Sequence, residues 1–407
     1  MTDNKQEFQG LGIAPGILAV LGKFNFTVPT PIQEQSIPLA AQGKDLIGIA
    51  QTGTGKTLAF GIPMIQHILQ KKDGLGLVVL PTRELAIQVQ EALQKIGHSL
   101  GIKTTLLIGG APMGRQVSEI RRRPDIVIGT PGRIIDHLDR RFLKLDNVSI
   151  LVLDEADRML DMGFAPQLKR ILQSVSAKRQ TLLFSATMPP EIGALARAFM
   201  KLPLQIEIAP PGTAPNNVTQ EVFIVRKDQR SILLKKLLAD YLGSILVFTR
   251  TKYGATRLAR DVRDAGHTSA ELHSNRSPSQ RKDALSGFKT GKYRILVATD
   301  IAARGIDVIG IEVVINYDLP EQAEDYVHRI GRTGRAGANG HAISFAMPDQ
   351  YDDLHAIERL FRKTLPVSKL PDSMPNQTFQ IASRQGDRRP QRSFQPRRFG
   401  RGSKPRG

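Results

Sequence analysis

A lysine and a threonine directly after a run of glycines, in the string AQTGTGKT at residues 50 to 57, are the residue types that hold a polyphosphate. Glycines let backbone N–H groups wrap phosphate oxygens, and a helix that starts there turns its positive end toward them. Lys56 then meets the terminal phosphates and Thr57 offers a hydroxyl to Mg2+. Ala50, Gln51, Thr52, Gly53, Thr54, Gly55, Lys56 and Thr57 are therefore the candidate nucleotide-binding residues, with Ala50 standing where the generic pattern has its first Gly. Such a site also needs a carboxylate at a strand end, and SILVLDEAD supplies one. Asp154 can hold Mg2+ together with Thr57, and Glu155 is placed to orient or deprotonate an attacking water. Acids after a strand also serve as helix N-caps, but the glycine loop upstream decides for magnesium.

A third string, HRIGRTGR at residues 328 to 335, sets His328, Arg329, Arg332 and Arg335 beside Gly331 and Gly334. By itself it allows a solvated helix face, a nucleic-acid patch, or a clamp on a phosphate bound elsewhere. The chain has no cysteine, so its chemistry must use oxygen and nitrogen groups, without disulfides or thiolate-bound metal.

These groups need elements to carry them. Short apolar runs recur in the first half (DLIGIA, LGLVVLPT, TTLLIGG, DIVIGTPGR, SILVLDEAD, TLLFSATM) with helix-like stretches such as RELAIQVQEALQKIGHSL between them. That alternation predicts strands of a parallel sheet buried on both faces. The pattern restarts with SILVFTR, SAELHS, YRILVATD, EVVINYDLP and HAISFAM. The fold class expected is α/β, with a nucleotide-binding domain over residues 1–208, a linker over 209–218, a second domain over 219–366 and a disordered basic tail over 367–407. The second domain repeats the strand pattern without a phosphate loop.

The formal net charge is +19, which favours a polyanionic partner. Residues 384 to 407 carry eight Arg and one Lys against Asp387, so eight of those charges sit in the tail and eleven on the body. Phe394 and Phe399 interrupt the tail, as in segments that combine charge with base stacking. No apolar run approaches the ~18 residues of a membrane span, and the start of the chain lacks the pattern of a signal peptide. A soluble, cytoplasmic protein is expected, with no membrane partner.

The literal D-E-A-D at 154 to 157, in order with AQTGTGKT, PTREL, TPGR, SAT and HRIGRTGR, resembles the DEAD-box ATP-dependent RNA helicases over about residues 8 to 365. The compact core and short Arg-rich tail resemble the bacterial RhlE-type group. The resemblance implies two tandem RecA-like domains, ATP and Mg2+ as cofactors, and RNA as a partner read without regard to sequence. FTVPTPIQ is similar to the family's adenine-reading motif, so Gln33 is expected to hydrogen-bond adenine and Phe8 to stack on it. Asn25 replaces the Gly common before that motif's Phe. The plain reading of Phe8 is a hydrophobic anchor for the first helix.

By the same resemblance, Thr82, Arg83, Gly110, Thr130 and Arg133 line the RNA groove of the first domain, and Thr249, Arg250, Thr299 and Asp300 that of the second. Hydroxyls, glycine N–H groups and arginines suit phosphate and sugar contacts. Asp157, Ser185, Thr187 and His328 are expected to couple the two ligand sites. Pro278 stands where the family commonly has Gln, with Arg281 retained; a proline there can open a helix, so the fold is expected to persist. If the domains close, Arg332 and Arg335 reach the γ-phosphate and Asp307 the ribose, which makes HRIGRTGR the clamp. The expected partners are RNA and ribosomal or RNA-decay proteins around a monomeric core. A DNA helicase or translocase of the same superfamily and a non-catalytic RNA-binding scaffold are the competing readings.

Overall fold

The computed structural model describes residues 7–51, 53–71, 74–208, 217–303, 308, 310–334, 338–361, 363–371 and 374. The tail beyond 374 and most of the expected linker lie outside these residues. The first sheet consists of β1 (Leu46–Ile49), β2 (Leu75–Val79), β3 (Thr104–Leu107), β4 (Ile126–Gly129), β5 (Val148–Leu153), β6 (Gln180–Ser185) and β7 (Leu204–Glu207). Their spatial order is β3-β4-β2-β5-β6-β1-β7, with every pairing parallel. The second sheet consists of β8 (Val218–Ile224), β9 (Ser244–Phe248), β10 (Ser269–Leu272), β11 (Ile295–Ala298), β12 (Ile311–Asn316), β13 (Gly340–Ala346) and β14 (Val367–Ser368). Its order, β10-β11-β9-β12-β13-β8-β14, is the first pattern repeated seven strands later. These are two RecA-like α/β domains.

Both sheets are covered on two faces, which is why their central strands read as unbroken apolar runs. Within β2, Val78 packs with Phe60 and Phe184 on one side, while Leu77 and Val79 pack with Ile134 and Met159 on the other. In β9 the same alternation sends Ile245 and Val247 to one layer and Leu246 and Phe248 to the opposite one. Some of the connecting helices begin on side chains that satisfy their first N–H groups. Thr82 Oγ1 accepts from Leu85 N, and Ser277 with Gln280 forms a capping box at the helix Pro278–Lys289. Pro278 occupies the first turn of that helix, a position where its missing N–H costs nothing. Among the described residues no helix is long and apolar enough to cross a membrane.

Two boundaries differ from those expected. β8 begins at Val218, inside the expected linker, and β14 lies inside the expected tail. The pattern of VTQEVFI hides β8, because only three of its seven residues are buried and polar side chains fall between them. β14 has two residues, too few to carry a pattern, yet Pro366 O accepts from Val222 N at 2.8 Å. Leu365 and Met374, each 3% exposed, flank this strand and pack into the second domain. A chain ended after Thr364 should therefore lose about 2–5 kcal/mol of stability, the range for emptying a large apolar site. A chain ended after Met374 should match the full chain in urea denaturation, and equal midpoints for both truncations would contradict this account.

Candidate functional site

Parallel sheets place their functional loops at the carboxyl ends of the strands, so strand order sets which motifs become neighbours. Along the first sheet the ends of β3, β4 and β2 carry Gly109–Gly110, TPGR and PTREL, and the ends of β5, β6 and β1 carry DEAD, SAT and the glycine loop. The candidate nucleic-acid residues thus gather on one half of the edge and the candidate phosphate residues on the other. SAT lies between the acids and the glycine loop because β6 lies between β5 and β1.

In the glycine loop Lys56 heads the helix Lys56–Gln70, and its Nζ donates to Ala50 O at 3.0 Å. Thr54 Oγ1 donates to Gln51 O at 2.7 Å, and Ala50 N donates to Ser185 O at 3.0 Å, which ties the loop to SAT. Gly55 has φ +92, and a Cβ there would stand 2.3 Å from Gln33 Nε2, so two constraints demand glycine. Gln33 uses both ends of its amide within the protein: Oε1 accepts from Thr30 N and Nε2 donates to Gly55 O, each at 3.0 Å. Its place is that of a strut under the loop. Phe8 is 4% exposed in the apolar core with Leu11 and Ile17, which makes it the anchor of the first helix and leaves its ring covered. Thr52, Asp307 and Arg335 lie outside the described residues.

Asp154, at the end of β5, is buried and pushed up to about 6. Burial is the main cause, the Lys56 ammonium opposes it, and Glu155 and Asp157 add to it. Glu155, 4% exposed, holds a left-handed backbone at φ 51 and ψ 50, a strained turn that sets it at the head of the helix Ala156–Asp161. Asp157 is fully answered by SAT: its Oδ2 accepts from Ala186 N (3.1 Å), Thr187 N (2.9 Å) and Thr187 Oγ1 (2.9 Å), while Ser185 Oγ accepts from Asp157 N. Asp157, Ser185 and Thr187 are thus one network. His328 lies elsewhere, lining a cavity of about 10 Å³ with Arg158, Asp300, Asp325, Arg329 and Arg332.

On the other half of the edge, arginines knit the loops together. The Arg83 guanidinium sits against Gly109, Arg133 Nη2 donates to Ala111 O at 3.1 Å, and Gly110 turns with φ +81. Thr82 caps the helix Arg83–Gly97 through its hydroxyl, and Thr130 stands directly before the helix Pro131–Asp139. In the second domain Thr249 is buried with its hydroxyl on Thr251 O, and Arg250 reaches Leu319 O and Glu321. Thr299 is half-buried at the end of β11. Asp300 has both oxygens held by the Arg329 fork, at 2.5 and 2.7 Å. Arg329, 2% exposed, is a buried cation that this carboxylate balances.

The sequence reading did not find the contacts between domains. Arg158, directly after DEAD, pairs with Asp325, which lies 167 residues later. Burial opposes the charge of Arg158, but Asp325, Asp157 and Asp161 outweigh it and hold the guanidinium more firmly protonated than usual. Glu84, within PTREL, meets Arg281 at 2.8 Å, with both side chains nearly buried. Arg332, 4% exposed, donates through Nε to His328 O and lines the same cavity as Arg158. Adjacency to known motifs was the available signal for Arg158 and Glu84. Their partners lie too far away in sequence for any pattern to announce.

A RecA-like domain with a glycine loop, joined through charged contacts to a second copy of the fold that lacks one, defines a tandem ATPase of the helicase class. Residues 30–195 match the DEAD/DEAH box helicase family and residues 228–337 the helicase conserved C-terminal domain. The chain is 44% identical over 367 residues to the ATP-dependent RNA helicase CshA of Listeria monocytogenes, covering 90% of this chain and 71% of that one. Its structure is similar to S. cerevisiae Dbp5 bound to RNA and ADP BeF3, with a TM-score of 0.81, 30% identity, and coverage of 89% of this chain and 95% of that one. Mss116p bound to ssRNA and AMP-PNP gives a TM-score of 0.82 at 29% identity, covering 91% of this chain and 81% of that one. The chain belongs to the DEAD-box family of ATP-dependent RNA helicases.

Two outcomes test this geometry. The folded pKa of Asp154 lies above its unfolded value, so ionising it inside the fold costs nothing below about pH 4. The cost grows to ~3 kcal/mol as pH rises to about 6. Asp154→Asn should accordingly raise the ligand-free melting temperature at pH 8, with the gain fading toward pH 4; no gain at pH 8 would contradict the burial argument. For the domain contact, a double-mutant cycle of Arg158→Met and Asp325→Asn, read as RNA affinity with a non-hydrolysable ATP analogue, should give a coupling of at least ~1 kcal/mol. Additive single effects would refute the pairing.

Proposed function

We propose that this protein closes its two domains on ATP and single-stranded RNA, and that closure and hydrolysis drive local opening of short RNA duplexes or RNA–protein complexes. The observation that carries this reading is the seam. The arginine-bearing helix end of the second domain, with Arg329 and Arg332, packs against Arg158, directly beyond the acids that follow β5. The carboxyl edge of the first sheet would then serve both ligands, ATP beside β1, β6 and β5 and RNA beside β2, β4 and β3. Solved relatives that hold RNA with a nucleotide analogue align with this chain across about nine-tenths of its length, which supports RNA as the strand bound.

In this reading Lys56 and the glycine-loop N–H groups bind the phosphates, with Lys56 giving up its bond to Ala50 O as they enter. Gln33 holds the loop and reads adenine only after exchanging its present partners. Glu155 takes the proton of the attacking water, and Arg332 with Arg335 stabilises charge on the transferring phosphoryl group. Thr82, Arg83, Gly110, Thr130, Arg133, Arg250 and Thr299 hold the RNA backbone. Asp157, Ser185 and Thr187 would transmit the state of one site to the other, since each site borders the same network.

The residues present fit Mg2+. Asp154 is a buried carboxylate that Lys56 and the Glu155 N–H offset only in part, and Thr57, half-buried, opens the adjacent helix. Those two would hold the ion, which when bound neutralises phosphate charge. The compact core and Arg-rich tail support placement in the RhlE-type group. Cytoplasmic action on ribosomal or decaying RNA belongs to the same proposal and rests on the substrate class.

Steady-state ATP hydrolysis with no nucleic acid, with single-stranded RNA and with the matching DNA at one salt concentration tests the proposal. RNA alone should stimulate strongly, and Glu155→Gln should lower the stimulated rate by about 10²-fold or more while ATP and RNA binding persist. Equal stimulation by DNA would favour a general helicase. An undiminished rate in the variant would remove Glu155 from the chemistry.

A further inference from the structure

β3 ends the strand order of the first sheet. The carbonyls of Lys103 and Leu107 accept from Ile126 N and Thr130 N on the sheet side, at 3.1 and 3.0 Å. Successive residues of a strand alternate, and in a parallel ladder the N–H and C=O of one residue share a side, so Thr104, Leu106 and Ile108 aim theirs away from the sheet. Gln116 Nε2 takes up Ile108 O at 3.0 Å. Thr104 and Leu106 border a groove of about 940 Å³ walled by the helices Arg83–Gly97 and Met113–Arg121. Gln90 and Gln94 line one wall, both donating to Thr104 Oγ1, at 3.3 and 3.0 Å. Lys103, Arg115 and Arg122 line it as cations, all exposed, and Glu119 is the acid among them, paired with Arg115.

We propose that this groove docks an extended acidic segment of a partner protein, which adds a strand to the open edge of β3. Natural sheets usually protect such an edge with proline, a bulge or a covering element, and TTLL has neither proline nor charge. Main-chain hydrogen bonds would give affinity here, and the cationic rim would select the partner. The rim repels the basic tail of this chain. A second copy would bring its own Lys103 and Arg122 against the first pair, and a sugar–phosphate backbone lacks the alternating donors and acceptors that the strand presents. The inference is independent of the nucleotide site.

The probe is a capped, fluorescein-labelled peptide of alternating Glu and Val, titrated with the full-length protein and followed by anisotropy. A Lys–Val peptide of equal length and two Glu–Val peptides, each N-methylated at alternate residues in one of the two registers, are the controls. The Glu–Val peptide should bind, the Lys–Val peptide at least about tenfold more weakly, and one N-methylated register should lose binding while the other keeps it. Lys103→Glu with Arg122→Glu should weaken the acidic peptide at least about tenfold with an unchanged melting temperature, since both side chains are exposed. Absence of binding up to about 1 mM, or equal binding by both N-methylated registers, would overturn the proposal. A double variant that weakens RNA binding and leaves the peptide unaffected would also overturn it, making the groove an RNA track.

Discussion

A carboxylate taken out of water must be met by donors or by opposite charge, and the acids after β5 meet that demand in different ways. Asp157 is met within its own domain by two N–H groups and a hydroxyl of SAT. Asp154 is met in part, by the Lys56 ammonium and by the N–H of Glu155 at 3.0 Å, and burial still holds its carboxyl toward the neutral form. The acid that is fully satisfied fixes the geometry of the turn, and the other keeps part of its burial cost unanswered. Both depend on β6 lying between β5 and β1, because only that order sets the SAT backbone between the acids and the glycine loop.

The same demand extends across the domains. Arg158 is a buried cation whose main opposite charge, Asp325, belongs to the other half of the chain. Glu84 and Arg281 form a second such pair on the half of the edge that carries PTREL. One pair borders the acids and the other borders the nucleic-acid motifs, so each half of the edge is tied to the opposite domain by a pair of charges. Two sites that bias one closure equilibrium are coupled by necessity, without any continuous path of side chains between them.

Local chemistry made much of the site legible. The glycine loop and the acids of DEAD depend on residues within a few positions, and the structure has them at the strand ends and helix starts foreseen. Phe8 and Gln33 were less legible: a ring that could stack is covered by core, and an amide that could read a base is spent on Thr30 and Gly55. Asp300 was assigned by its motif, and the buried Arg329 fork holds both its oxygens. β8 and β14 escaped because half-exposed or two-residue strands carry no periodic signal.

The sequence by itself determined the two α/β halves, the presence of a phosphate loop in only one of them, and the set of residue types available for chemistry. Period, capping and turn preference are properties of short segments, so they survive in a string of letters. Only the tertiary structure decided which strands are neighbours, and with that which motifs share an edge. It also decided that Arg158 faces Asp325, that Arg281 faces Glu84, and that β3 is left as an open edge. Those outcomes follow from packing two sheets and closing long connections, where residues nearly two hundred positions apart meet for reasons that neither neighbourhood records.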